Sequence, residues 1–383
     1  MKGKEGVFME GTMKAMVLEA PGKLVLKELP IPKPGPRDVL LKTKYAGICG
    51  SDFPIYKEGK FVPHLPQVIG HEASAVIVEK GELVEGFEVG DRVTGTNIQF
   101  CGHCPACKAT PEGELAWGCE NIASLGLGFG VQGVFAEYFM IHDVIPGMSL
   151  FKIDDSVDDL EAAMCEPMCT GVGWYSIPDP KPGDKIVITG AGIIGESILQ
   201  QVLKIPDVEV VISDYSQLRL DVAKKMGAHH ICNPAKDGTA LDYVINLWGN
   251  KEFLYNYGDR ISGNADIVYE CSGNAKAWAE AIQIAKPGGK VCTVGTCEGM
   301  ATISPQWIQL KQVHIYGGLY GSIGQSVAEI NAGELNVRDL ATHVFPLEKL
   351  DEAFQVAMDS NKSIKVLIKV DPEAGDYPYN KQD

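Results

Sequence analysis

The chain has 383 residues, 45% of them hydrophobic and 22% charged, with a formal net charge of −16. That length suggests two domains, each able to bury a core without disulfide staples. The acidic balance and the lack of any Lys/Arg run exclude nucleic acid and anionic membrane as partners, since both need basic patches.

Residues 1–12 are polar and Gly-rich, with no apolar signal-peptide core, and the fold is expected to start at Met13. No apolar stretch reaches the roughly 18 residues of a spanning helix, so the sequence reads as cytoplasmic. The cysteines number 11, an odd and unevenly spaced set, which reads as metal-site usage in a reducing compartment.

Along the first 150 residues, short strands alternate with Gly and Pro turns. Pro30, Pro32, Pro34 and Pro36 make a bend before Asp38–Tyr45 (DVLLKTKY), which alternates as a half-buried strand does. A barrel-like or irregular β domain is expected. Within it, Gly47–Asp52 (GICGSD) and Gly70–Glu72 (GHE) hold Cys49, His71 and Glu72. A thiolate, an imidazole and a carboxylate with one open position form the ligand set of a catalytic zinc. Ser51 adds a hydroxyl beside the thiol. A buried cysteine and a core histidine are the plainer alternative.

Cys101, Cys104 and Cys107 follow with C-x2-C-x2-C spacing, and Cys119 completes a set of four in a lobe at about 99–120. Four thiolates close a tetrahedron, which is the structural type of zinc site. An iron–sulfur cluster is the competing reading. His103, between two ligands, is expected to point away, and Trp117 to anchor the lobe or a partner subunit.

After about Asp154 the character changes. Val157–Cys165 has helical spacing, with Ser156 as the expected N-cap. Lys185–Thr189, Val208–Ser213, Ala265–Tyr269 and Lys290–Val294 are short β-branched runs, separated by the helical patterns Ile193–Lys204 and Gln217–Met226. That is an α/β, doubly wound parallel sheet. Thr189–Gly195 (TGAGIIG) carries Gly190, Gly192, Ile193, Ile194 and Gly195 between strand and helix. The glycines permit a tight turn, backbone approach to a pyrophosphate and close helix packing. Asp214, at the end of the next strand, suits ribose hydroxyls and repels a 2′-phosphate, which favours NAD over NADP. Arg219 is placed to reach the ribose or adenine edge. The last segment, from about 312, is expected to return to the first domain and to end in a strand at Ile364–Val370.

In order, then, stand a catalytic zinc set, a four-Cys lobe and an NAD fold. This resembles the zinc-dependent medium-chain dehydrogenase/reductase superfamily, and within it the sorbitol (polyol) dehydrogenase-like branch. The resemblance runs from Met13 to about Val370 on GICGSD, GHE, GDRV (90–93), the four-Cys lobe, CEPMCTG (165–171), GAGIIG and ECSG (270–273). It implies a GroES-like catalytic domain at 1–165 and 312–383, and a Rossmann domain at 166–311. It implies that Cys49 and His71 bind catalytic zinc, that Glu72 or Glu166 is the third ligand, and that Ser51 relays the alcohol proton. It also implies two zinc ions per chain, a homo-oligomer and a small-molecule alcohol substrate.

The nicotinamide end is expected near Cys271, Val294, Gly295, Leu319 and Tyr320. A polyol, sugar or amino-polyol is the first substrate class, with a small diol or L-threonine-type hydroxy amino acid second. Pocket candidates are Phe53, Tyr56, Phe129 and Trp307. Two departures stand out. Polyol dehydrogenases carry a histidine shortly after GSD, where this chain has Phe53-Pro54-Ile55-Tyr56, with His64 further on. The 233–262 segment, with Trp248, Phe253, Tyr255 and Tyr257, is long and reads as a surface hairpin or helix pair. A non-catalytic NAD-binding protein and a zinc-free reductase of quinones or enones are the rival functions.

Overall fold

A computed structural model describes residues 10–110, 118–251, 262–297, 299–318 and 321–379. Two compact units divide the chain. One runs to Glu166 and takes in Val327–Met358 and the chain from Val366. The other holds Pro167–Ser326 and Asp359–Lys365.

The first unit is built on a seven-stranded sheet whose centre is the antiparallel pair Val39–Gly47 and Glu72–Lys80. Both strands are rich in β-branched and aliphatic residues, and their inward faces carry Val39, Leu41, Ala75 and Ile77 into one core. Their register sets Gly47 opposite Glu72. Cys49 lies just beyond one end of this pair and His71 just before the other, so strand pairing itself gathers the two. Gly70 makes the turn into the second strand with φ +90°, and a Cβ there would sit 2.6 Å from the Phe135 ring. Only glycine satisfies both demands. The helix Asp52–Glu58 follows Cys49 directly, burying Asp52, Ile55 and Tyr56 and ending at Gly59 in the left-handed region.

The second unit holds a six-stranded sheet, parallel throughout. Its order is His230–Cys232, Glu209–Ser213, Lys185–Thr189, Ala265–Glu270, Ala285–Thr293, His314–Gly317. In chain order this reads 3-2-1-4-5-6, the doubly wound arrangement of Rossmann type. Lys185–Thr189 is central and covered on both faces: Ile186 and Ile188 enter one apolar cluster and Val187 another. Strand order reverses between Lys185–Thr189 and Ala265–Glu270, so the ends of these two strands form the switch point.

The structure corrects two expectations. The return to the first unit falls at Val327, not 312, because His314–Gly317 pairs with Ala285–Thr293 as the sixth strand of the parallel sheet. The helix expected at Val157–Cys165 spans Asp159–Ala163 and is capped by Asp158, not Ser156. Asp158 accepts from Glu161 N in a capping box, whereas the Ser156 hydroxyl turns to Asp154. The long segment from 233 holds the helices Pro234–Asp237 and Ala240–Trp248, the latter burying Ala240 and Val244. Residues 252–261, with Phe253, Tyr255 and Tyr257, lie outside the described residues, as do residues 1–9 and Trp117.

Candidate metal centre and dinucleotide site

Donor atoms of Cys49, His71 and Glu72 all lie within 4.8 Å of one another. Two ligands at about 2.0–2.3 Å from a shared zinc stand at most roughly 4.6 Å apart, so the group suits one metal ion. His71 and Glu72 are buried, and Cys49 is partly open. Glu166, also buried, lies in the first turn of the helix Cys165–Trp174 and outside this donor group.

Asp52 is a residue the sequence reasoning passed over. It is fully buried; its Oδ2 accepts the Cys49 N–H at 2.9 Å, and its Oδ1 faces His71 Nδ1 at 3.5 Å. A carboxylate behind a metal-ligating imidazole fixes the ring and strengthens its basicity. Burial alone would lower the His71 pKa, but the Asp52 and Cys49 charges outweigh it and raise the imidazole well above its usual range. Its place as the last residue of GICGSD, three after Cys49, is the signal that could have found it. Ser51 stands at the N-cap position of Asp52–Glu58 without hydrogen-bonding that helix, so its hydroxyl is not spent on capping.

Phe129 packs its ring 5.2 Å from that of His71 and walls this site. Tyr56 does not: it lies in the core, stacked on Phe354 at 4.7 Å. Its hydroxyl donates to Asp351 at 2.7 Å and accepts from Gln355 at 3.2 Å. Burial, aided by Asp351, pushes its pKa up to about 12. Phe53 also meets Phe354, at 6.5 Å edge to face, and Trp307 packs within the second unit near Lys311. Tyr56 is therefore withdrawn as a substrate contact, because its ring is stacked in the core and its hydroxyl already has two partners.

Cys101, Cys104, Cys107 and Cys119 form the second donor group, with sulfurs within 4.8 Å of one another. Backbone N–H groups point at the sulfurs: Cys104 N to Cys101 at 3.4 Å, Cys107 N to Cys104 at 3.5 Å, and Cys101 N to Cys119 at 3.5 Å. Burial would raise the Cys101 thiol, but such hydrogen bonds outweigh it and bring it down to about 6. Donors aimed at sulfur favour thiolates, the form that binds metal. His103 is outside the group, its Nδ1 2.7 Å from Cys101 O.

In the second unit, the glycine turn sits at the switch point. Gly190 has φ +97°, and a Cβ there would meet Ser272 N at 2.7 Å. A Cβ on Gly195 would lie 1.9 Å from Gly190 O. Gly192 is the N-cap of Ile193–Val202, leaving the first N–H groups of that helix, those of Ile193 and Ile194 among them, to face a ligand phosphate. Asp214 Oδ2 accepts Ala191 N and its Oδ1 accepts Ser216 N, each at 2.8 Å. Arg219 brings Nη1 to 3.8 Å from Asp214 and donates Nε to Ser363 O at 2.9 Å. Cys271 N bonds Thr189 O, while Val294 N and Gly295 N both bond Glu270 O, so the tips after these strands meet beside the glycine turn. Leu319 and Tyr320 lie outside the described residues.

Comparison with known proteins gives the class. Residues 35–153 match the alcohol dehydrogenase GroES-like domain and residues 196–332 the zinc-binding dehydrogenase domain. The chain belongs to the zinc-dependent medium-chain dehydrogenases, oxidoreductases that use zinc and a nicotinamide cofactor.

It is 30% identical over 365 residues to the uncharacterized zinc-type alcohol dehydrogenase-like protein YdjJ of Escherichia coli (strain K12), covering 92% of this chain and 98% of that one. It is 32% identical over 348 residues to L-threonine 3-dehydrogenase of Deinococcus deserti, covering 88% of this chain and 93% of that one. The solved structure of 2R,3R-butanediol dehydrogenase from Bacillus subtilis superposes with a TM-score of 0.79 at 26% identity, covering 94% of this chain and 100% of that one.

Proposed function

We propose that this chain oxidises a secondary alcohol to a ketone, passing hydride to NAD, and that its substrate is a polyol, sugar or amino-polyol. The observation that carries the reading is the donor group of Cys49, His71 and Glu72, with the uncommitted Ser51 hydroxyl two residues after the thiol. We assign the third ligand position to Glu72 over Glu166, since Glu72 is within the donor group. Cys101, Cys104, Cys107 and Cys119 would hold a second, structural zinc, for two per chain.

Zinc when bound supplies a Lewis acid that lowers the pKa of a coordinated hydroxyl, and NAD supplies the hydride acceptor. The chain's own residues do the rest. Asp52 orients His71. Ser51 takes the alcohol proton. Phe129 covers the imidazole and presents an apolar wall to substrate carbon. Asp214 accepts the ribose hydroxyls and opposes a 2′-phosphate, which supports NAD over NADP. The amides after Gly192 face the pyrophosphate.

A second reading, oxidation of an L-threonine-type hydroxy amino acid, is favoured by the likeness to L-threonine 3-dehydrogenase. Both substrate classes share a secondary alcohol beside a second heteroatom. A panel of polyols, sugars, 2,3-butanediol, L-threonine and simple alcohols, offered with NAD and followed by nicotinamide absorbance, tests the choice. Metal analysis of the same sample is expected to find about two zinc per chain. A protein that holds no zinc, or that reduces no NAD with any of these alcohols, overturns the proposal.

A further inference from the structure

The helix that opens on the glycine turn carries an acid that the proposed chemistry does not use. Glu196 follows Gly195 directly, in the first turn of Ile193–Val202, and is fully buried. Neither of its carboxyl oxygens has a hydrogen-bond partner among the described residues. A buried carboxylate without a donor is costly to ionise, so the group holds a proton unless a nearby cation draws it off. Two charged groups act on it: Asp214, at the end of the strand Glu209–Ser213, and Arg219, in the helix Gln217–Lys225. Burial, aided by Asp214 and opposed by Arg219, raises the Glu196 carboxyl well above its usual range.

Arg219 has little freedom. Its Nε donates to Ser363 O at 2.9 Å, its Nη1 lies 3.8 Å from Asp214, and a Cβ on Gly192 would stand 3.4 Å from Nη1. The guanidinium therefore lies against the glycine turn, beside the acid proposed to meet the ribose. Asp214, Glu196 and Asp359 all act on its charge. One cation thus stands among three acids, of which Glu196 alone is fully buried.

We infer that Glu196 is a positioning residue for cofactor choice: ionised, it holds the Arg219 charge inward, and protonated, it leaves that charge free to meet a 2′-phosphate. This rests on the NAD reading proposed above. With Glu196 protonated, Arg219 balances Asp214. With Glu196 ionised, one more negative charge stands at the ribose end of the site. A 2′-phosphate carries up to about two negative charges, whereas the NAD ribose carries none, so the added charge acts on the phosphorylated cofactor selectively. Rejection of NADP therefore strengthens as pH rises.

The test titrates NADH and NADPH into the zinc-loaded enzyme, followed by nicotinamide fluorescence, between pH 6 and 9 in wild type, Glu196→Gln and Glu196→Leu. Zinc content checks folding. The ratio of the NADPH Kd to the NADH Kd, divided by the same ratio in Glu196→Gln, is expected to rise about fivefold or more across that range. Dividing by the variant removes the titration of the 2′-phosphate itself, whose second pKa is about 6. Glu196→Leu should behave as Glu196→Gln does, since both lack the titrating group. A packing role alone would move the affinity for both cofactors together and at every pH.

Proton uptake gives an independent readout. A ligand that favours the protonated form draws the proton in. Calorimetry in buffers of different ionisation enthalpy should show that wild type takes up more protons with NADPH than with NADH between pH 7 and 9, and that Glu196→Gln loses this excess. A wild-type ratio that tracks that of Glu196→Gln at every pH overturns this inference and leaves the proposed function standing. Tighter binding of NADPH than of NADH at every pH overturns the NAD reading instead, and the pH dependence relative to Glu196→Gln then decides on Glu196 alone. An enzyme that binds neither dinucleotide overturns both. Should neither variant fold, wild-type calorimetry decides: an excess uptake with NADPH supports the role, and none removes it.

Discussion

Asp52 Oδ1 lies 3.5 Å from His71 Nδ1, while Oδ2 of the same carboxylate accepts the Cys49 N–H at 2.9 Å. One buried acid thus touches two members of the candidate donor group at once, from the first turn of a helix that Cys49 leads into. Removing it should loosen the imidazole and the thiolate together. Asp52→Asn keeps the shape and loses the charge, so metal affinity is expected to fall about 10–100-fold. Competition against a graded zinc chelator measures this. An Asn variant that holds metal as tightly as wild type would sink the bracing role.

Glu72 and Glu166 are both buried acids beside a motif, but only Glu72 falls within the donor group. Glu72→Gln is expected to lower zinc from about two to about one per chain, with the remaining ion in the four-Cys lobe. Glu166→Gln should retain both. Metal analysis after extensive dialysis reads the difference directly, and the reverse pattern would move the third ligand to Glu166.

The parts of the fold legible in sequence were those whose neighbours leave a local trace. Lys185–Thr189 reads as a strand because both of its faces are buried, and the glycine turn after it because two positions there, Gly190 and Gly195, reject a Cβ, Gly190 at an unusual φ as well. His314–Gly317 was not legible: as an edge strand, three of its four residues are exposed and it lacks an apolar run. The gathering of Cys49 with His71 depends on a strand register containing two bulges, between Leu40/Leu41 and between Thr43/Tyr45. No local pattern encodes that. The choice between Glu72 and Glu166 depends on the same register. Tyr56 was ambiguous because an aromatic beside a catalytic motif has the same composition whether it faces ligand or core.

Asp214, proposed to meet the cofactor ribose, has its oxygens already oriented by Ala191 N and Ser216 N. Asp214→Ser is expected to weaken NAD and to admit a 2′-phosphate, raising the ratio of kcat/KM for NADP over NAD at least about tenfold. Arg219, 3.8 Å away, would then lose the nearest of the acids around it, with Glu196 and Asp359 remaining, and its charge would favour the phosphate. Steady-state kinetics with both cofactors decides, and an unchanged ratio would remove Asp214 from cofactor selection.

Tyr56 supplies a stability test that separates core from pocket. Its hydroxyl bonds Asp351 and Gln355, and Asp351 is exposed enough for water to replace the lost partner. Tyr56→Phe should therefore destabilise by only about 1 kcal/mol, a typical net value for one hydrogen bond. KM for the alcohol should not move. A large KM change with unaltered stability would restore Tyr56 to the substrate site.

Lys311 carries a pH dependence of its own. It is fully buried, and its Nζ donates to Ile282 O at 2.7 Å and Gln283 O at 3.1 Å, carbonyls in the last turn of the helix Ala275–Ile284. A cation there complements the negative end of the helix, and Trp307 lies beneath it at 5.7 Å. Burial nevertheless brings its pKa down from 10.5 to about 7. The sign follows from proton counting. Between pH 7 and 10.5 the unfolded chain holds a proton on this amine that the folded chain has released, so stability rises with pH across that window. Below about pH 7 both states are protonated and the contribution is level; the penalty is then at its greatest. The slope is at most about 1.4 kcal/mol per pH unit. Lys311→Met removes it along with the two hydrogen bonds. The stability difference between wild type and variant, measured by urea unfolding at pH 7, 8 and 9, should therefore shift in favour of wild type as pH rises. A difference that stays constant across those values would show that Lys311 keeps its proton in the folded protein, with the helix carbonyls outweighing burial.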